Sequence, residues 1–258
     1  MQIISILKNK LGDTIVMSGR CLRHAFRSID TLITVIAMPI VMMLLFVYVF
    51  GGAINTGSVD YSNYVVPGIV IITIVSSVAY TAVRLNTDAT TGIFDRFNSM
   101  PVARSSILAG HVLTSVVFSA FSTVLVMLAA LLMGFRPNAG IIEWLLVIGI
   151  LLLFTLAMTW TSVISGLLAN SAEGAGVFAY PLIFLPYVSS AFAPTESMHG
   201  VVRAFAENQP MTPIIDTIRS LLMNKPAGNN ALIAVLWCSG IFIASSIVAT
   251  QIYKHKTA

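Results

Sequence analysis

Charge is what this sequence has least of. Of 258 residues only 9% are Asp, Glu, Lys or Arg, against about 25% in an ordinary soluble domain. Hydrophobic residues make up 57% of the chain and the mean hydropathy is +0.91. That scarcity excludes a soluble globular enzyme, and it equally excludes disorder, which needs low hydrophobicity and high net charge. Cysteine is almost missing as well. The two present, Cys21 and Cys238, are too few for a secreted disulfide scaffold, fall in different parts of the layout derived below, and read as small apolar residues. No lysine sits in a Gly-Lys-Ser/Thr setting, so the chain has no P-loop, and His24, His111, His199 and His255 form no HExxH or other ligand spacing. Neither a catalytic constellation nor a metal site is expected in this chain. An integral membrane protein remains.

Because charges are so few, the gaps between them act as a ruler. A membrane-crossing helix needs about 20 mostly apolar residues, and six charge-free gaps are that long: between Asp30 and Asp60, Asp60 and Arg84, Arg104 and Arg136, Glu143 and Glu173, Glu173 and Glu196, and Lys225 and Lys254. Trimmed at turn residues such as Gly51-Gly52, they predict spans at about 31–50, 64–83, 106–133, 144–169, 177–192 and 231–253. Runs such as Val41-Met42-Met43-Leu44-Leu45-Phe46 do not alternate, which excludes the strands of an outer-membrane barrel. The predicted fold class is all-α: a polytopic bundle of six transmembrane helices over 30–258, preceded by an amphipathic segment at 1–29.

An even number of spans puts both termini on one side. That side would hold ten Lys and Arg residues and the other four, so the termini are expected in the cytoplasm. The basic balance therefore reflects topology and gives no ground for nucleic-acid binding. The first apolar run is broken by Lys8 and Lys10 with no small-residue cleavage site after it, so no secretory signal is expected.

The predicted span interiors lack Asp, Glu, Lys and Arg altogether. Ion-driven transporters keep such residues at mid-membrane for their work, so an ion-coupled pump is disfavoured. His111 stands alone there, near the start of the third span, and is expected to bond a neighbouring helix. Polar rows at Thr73, Ser77 and Thr81, and at Thr155, Thr159 and Ser162, serve either as interhelical glue or as the lining of an uncharged pathway; Thr73, Ser77, Thr155 and Thr159 are the candidate pathway residues.

Two further elements are expected on the cytoplasmic side. In residues 1–29, Leu7, Leu11, Ile15, Leu22, Phe26 and Ile29 recur at helical spacing. This predicts an amphipathic helix on the membrane surface, broken into two if Gly12 and Gly19 weaken it enough. Its Arg20, Arg23 and Arg27 would serve as an anchor to anionic lipid or as a contact for a cytoplasmic partner. After the second span, Ile93 and Phe97 fall one turn apart beside Phe94, with Asp95 and Arg96 pointing away and Pro101 limiting the helix. A short helix presenting two aromatics is a docking knob.

The run Gly92-Ile93-Phe94-Asp95-Arg96-Phe97, followed by Ser99-Met100-Pro101-Val102 and Arg104, resembles the membrane permease subunits of type-2 ATP-binding cassette (ABC) exporters, most nearly the daunorubicin-resistance-like drug permeases. The likeness extends through Phe184-Leu185-Pro186, Phe192-Ala193-Pro194, Asn208-Gln209-Pro210-Met211-Thr212 and Ile218-Arg219-Ser220-Leu221, and to the six-span layout. It implies that residues 1–29 act as a connecting helix. It further implies that Gly92, Ile93, Phe94, Asp95, Arg96, Phe97, Met100, Pro101 and Arg104 belong to a coupling helix seated in an ATPase subunit. The loop carrying Glu173 would be a second contact, or Glu173 simply an exposed acid. ATP and magnesium would be bound by that separate ATPase, present in two copies, and a second permease copy or paralogue would complete a unit in the bacterial cytoplasmic membrane.

Between Pro194 and Gly228 two amphipathic pieces are too short to cross the bilayer. The second carries Ile214, Ile215, Ile218, Leu221 and Leu222 on one face. Similar exporters place re-entrant helices there, whereas a plain cap on the fifth and sixth spans is the alternative. The expected function is export of a drug, lipid or glycolipid; the alternatives are an ion-coupled secondary transporter or channel needing no ATPase, and a membrane scaffold.

Overall fold

The computed structural model of the chain describes residues 2–52, 60–93 and 104–257, which hold nine helices and no strand. An amphipathic α1 (Gln2–Arg27) ends at Ser28, whose side chain accepts from the Thr31 amide and caps the next helix. There follow α2 (Ile29–Phe50), α3 (Tyr61–Thr90), α4 (Arg104–Leu132), α5 (Ile141–Leu168) and the short α6 (Ala172–Phe184). Two small helices, α7 (Gly200–Asn208) and α8 (Met211–Leu222), precede the last, α9 (Gly228–Thr257). Glycines 12 and 19 do not split α1. Tertiary packing outweighs their low propensity, because α1 lies along α4 with Met17 against Gly110.

Five helices, α2, α3, α4, α5 and α9, are long and apolar enough to cross a membrane. The segment expected as a span at 177–192 differs: its helix begins earlier, at Ala172, and tightens after Phe184 into a 3-10 turn, Leu185–Val188. Pro186 lacks the amide needed to continue the ladder. In α2 the helix widens into π-type turns at Ile33–Ala37 and Leu45–Phe50, the first just before Met38-Pro39. Such a turn accommodates the ring of Pro39, which cannot bond to Val35.

Helix α3 is central. In its most apolar stretch 83% of residues are buried, against 17% for both α2 and α9, which turn long apolar faces outward. It packs against α4, α5 and α6. At one end of the bundle Met17, Leu85, Ile107, Leu167 and Tyr253 form a cluster, so the N-terminal helix and the end of α9 meet there. At the opposite end Tyr61, Tyr64, Phe135 and Phe192 join the apolar face of α8, with Ile214, Ile215, Ile218, Leu221 and Leu222 all buried as the spacing predicts. Arg219 fastens α8: its guanidinium donates to Tyr64 O and Ser190 O, pairs with Asp216 and lies 3.8 Å from the Tyr64 ring centroid.

Residues 172–192 run beside α3 from its last turns to its first. Ala175 packs with Ala82 and Ala169, and Phe192 O accepts from the Tyr61 hydroxyl. Between them Gly68 lets the chain approach so closely that a Cβ there would lie 2.5 Å from Ala191 Cβ. Gly68→Leu is therefore expected to destabilise the protein by roughly 1–3 kcal/mol through overpacking. Gly149→Leu, where nothing lies within 4 Å, should leave the thermal midpoint in detergent unchanged, and equal effects would refute the close approach.

Candidate functional site at the terminal end of the bundle

The last turns of α3 gather polar groups from four other helices. Arg20 of α1 grips Asp88 with both nitrogens, Nη1 to Oδ2 at 2.9 Å and Nη2 to Oδ1 at 3.1 Å. On the other side His111 of α4 places Nε2 3.3 Å from the same Oδ2. The His111 side chain is 4% exposed and that of Asp88 14%, so this carboxylate at the end of an apolar helix is held by partners instead of water. Its bond to Arg20 raises the arginine pKa further above an already high ordinary value.

One turn earlier, Arg84 donates to Cys21 O at 3.2 Å and to Thr31 Oγ1 at 3.3 Å, while stacking over the Tyr80 ring. Thr31 in turn bonds Ser28 Oγ. Arg84 thereby ties the end of α1, the bend at Ser28 and the start of α2 to α3. Asn86 reaches the other way, donating to Gly166 O and Ala169 O and satisfying carbonyls at the end of α5. A further clasp joins α1 and α4, where Thr114 Oγ1 meets Ser18 O at 3.2 Å and a Cβ on Gly110 would lie 2.8 Å from Met17 Cβ. Helix α3 then stops at Gly92, whose φ of +72° suits glycine at a helix end.

Cys21 Sγ, Asp88 and His111 also bring possible ligand atoms within 4.8 Å of one another. Both Asp88 oxygens are already taken by Arg20, a second guanidinium bonds Cys21 O, and burial pushes the Cys21 thiol pKa up, keeping it protonated. The donor set suits an ion-pair lock and not a cation.

Of the residues singled out in the sequence, Arg20 belongs to this lock, whereas Arg23 and Arg27 are exposed beside it. Ile93 is half-buried just past Gly92; Phe94, Asp95, Arg96, Phe97, Met100 and Pro101 lie outside the described residues, and Arg104 opens α4. Glu173 is exposed in the first turn of α6, where a negative charge suits the helix dipole, beside the Ser171 cap. The Ser/Thr rows are buried and mostly bonded across or along helices: Ser77 with Ser119, Thr159 with Ser115, and Thr73 with its own backbone at Ile69 O. Thr155 alone of the four lines a groove of about 250 Å³ between α3, α4 and α5, shared with Ile74, Ser119, Thr123 and Leu152.

Asp88 and Arg84 do not stand out in the sequence, where Arg84 reads as the charge that ends the second span. Two signals pointed to them: their i,i+4 spacing on a continuing helix, and the need of a lone membrane histidine for a partner. Because Arg20 is 42% exposed, its pair with Asp88 is expected to couple by about 1–2 kcal/mol. A double-mutant cycle with Arg20→Gln and Asp88→Asn, read by thermal unfolding, measures this; strictly additive effects would remove the lock.

Comparison with known proteins gives the family of the chain. The family profile described as "ABC-2 type transporter" matches residues 13–223. The chain is similar to the daunorubicin resistance ABC transporter permease protein DrrB1 of Streptomyces coeruleorubidus, with 27% identity covering 88% of this chain and 81% of that protein. It is also similar to the probable doxorubicin resistance ABC transporter permease protein DrrC of Mycobacterium tuberculosis, with 24% identity covering 96% of this chain and 90% of that protein. With five helices long and apolar enough to cross a membrane and a family match across most of its length, the chain is an integral membrane protein of the ABC-2 type transporter family, homologous to the daunorubicin and doxorubicin resistance permeases.

Proposed function

We propose that this chain is the membrane subunit of an ABC exporter, driven by a separate ATPase that docks on the segment from Gly92 to Pro101. The observation that carries the proposal is the lock around Asp88. It fastens α1 to the last turns of α3 before that segment and to the first turns of α4 after it, so a push delivered there moves three helix ends as one block. In this reading Phe94 and Phe97 seat in the ATPase, Arg96 adds directional bonds, Glu173 makes a second contact, and ATP with magnesium binds in two ATPase copies. A second permease copy or paralogue meets the apolar faces that α2 and α9 leave uncovered.

The run from Ala172 to Phe192 counts as a sixth crossing, because it accompanies α3 over most of its length and the two chain ends share one end of the bundle. Both termini then face the cytoplasm, with α7 and α8 re-entrant from the outer leaflet. The substrate is hydrophobic or amphipathic, a drug, lipid or glycolipid. The groove between α3, α4 and α5 supports this, since it offers hydroxyls and aliphatic side chains but no charge.

Replacing Phe94 and Phe97 with Asp is expected to abolish co-purification with the ATPase while membrane insertion persists, and retained binding would refute the docking assignment. Arg96→Ala should lower the permease's stimulation of ATP hydrolysis several-fold more than Arg203→Ala, since Arg203 is exposed and pairs with Glu207 one turn away. Tags on the two termini should both be protected in right-side-out vesicles; exposure of either would refute six crossings.

A further inference from the structure

At the bend between α1 and α2 a basic cavity remains that the coupling reading does not use. Its outer part, about 530 Å³, is lined by Arg20, Arg23, His24, Arg27 and Ser28. Its inner part, about 190 Å³, shares Arg20, His24 and Ser28 and is closed by Tyr80, Arg84 and Thr87 of α3 together with Asp88 and His111. The lining thus holds four guanidinium groups, Arg23 and Arg27 in the outer part only and Arg84 in the inner part only, and one carboxylate, Asp88, which is already gripped by Arg20 and His111. Arg23 bonds weakly to Gly19 O of its own helix, and among the described residues no carboxylate pairs with Arg23 or Arg27. Arg84 Nε is enclosed without a partner. Asp30 is exposed and lines neither part.

The position of this cavity selects its ligand. It opens at Ser28, where the surface helix gives way to the apolar run of α2, so it sits at the depth of lipid headgroups. Directly after Ser28, in the first turns of α2, the apolar side chains of Ile29 and Ile33 are 72% and 51% exposed. Arginine forks match phosphate oxygens in pairs, and exposed aliphatic side chains next to them match acyl chains. A basic pocket at the cytoplasmic ends of membrane helices is a recognised setting for lipid phosphate.

We propose that the outer part of this cavity, along the end of α1 at the Ser28 bend, is a binding site for the phosphate headgroup of an anionic phospholipid, held by Arg23 and Arg27 with its acyl chains along Ile29 and Ile33. The lipid thereby fills the bend at Ser28 and fixes how the surface helix α1 leaves the membrane plane. The site does not depend on the presence of an ATPase.

The test is native mass spectrometry of the full chain in detergent, titrated with phosphatidylglycerol and with phosphatidylcholine of the same acyl chains. Phosphatidylglycerol adducts are expected to form in preference, and Arg23→Gln/Arg27→Gln should weaken them by roughly 30-fold, at about five- to sixfold per phosphate-contacting arginine, with phosphatidylcholine adducts unchanged. Arg23→Lys/Arg27→Lys should retain the preference. Equal binding of both lipids by the unsubstituted chain would overturn the proposal, as would full phosphatidylglycerol binding by the glutamine variant. Displacement of phosphatidylglycerol by an equal concentration of inorganic phosphate would overturn the lipid assignment in favour of a free anion. A glutamine variant that keeps its lipid but loses the ATPase would overturn it in favour of a protein contact. Added salt must weaken phosphatidylglycerol binding to the unsubstituted chain; indifference to salt would overturn the proposal even if the variants fail to fold.

Discussion

Asp88 is the residue on which the terminal end of this bundle depends. A carboxylate on an apolar helix is tolerated only when charge and hydrogen bonds replace the water it has lost, and here the replacements come from two other helices. Arg20 arrives from α1 and His111 from α4, so satisfying one charge necessarily fixes three helix ends. Arg84, one turn away, extends the same logic to the start of α2, and Asn86 extends it to the end of α5. The polar requirement of a single turn of α3 therefore organises most of what meets at this end.

The two ends of the molecule are built differently, and the difference matters for how movement would pass through it. The terminal end is held by charged groups from separate helices, with exposed arginines around them. At the far end aromatic stacking, such as Phe46 on Phe192 with centroids 4.2 Å apart, and the Arg219 clasp hold α8 and the turn before it against α3. Between these ends short hydroxyl pairs, Ser77 with Ser119 and Ser115 with Thr159, cross from helix to helix. Such pairs are worth about 0.6 kcal/mol each in a membrane. Two firm ends joined by a lightly bonded middle suit a bundle that tilts as blocks.

Much of the bundle was legible in the spacing of charges, because a helix in hydrocarbon cannot leave a charge unpaired and so the gaps trace the spans. The buried face of α8 was legible from the spacing of Ile214, Ile218 and Leu221. The same rule concealed the lock. Arg84 marks the place where an unpaired charge would end a span, yet α3 continues to Thr90 because partners from α1 and α4 meet its charges, and partners so distant in the chain leave no local pattern. The shortness of α6 has a different cause that spacing does not show: Pro181 is carried inside the helix while Pro186 ends it. His111 was expected to bond a neighbouring helix, and it does, through Asp88.

Held by Asp88, α1 and the end of α3 should move as one block. Pulsed electron–electron resonance between spin labels at Val16→Cys and Thr90→Cys, both exposed positions, tests it in the complex with the ATPase, since the native Cys21 and Cys238 are buried. A locked block gives a single distance that is the same with ADP and with a non-hydrolysed ATP analogue. A nucleotide-dependent shift of about 5 Å, the height of one helical turn, would show that α1 slides against α3 and would contradict it.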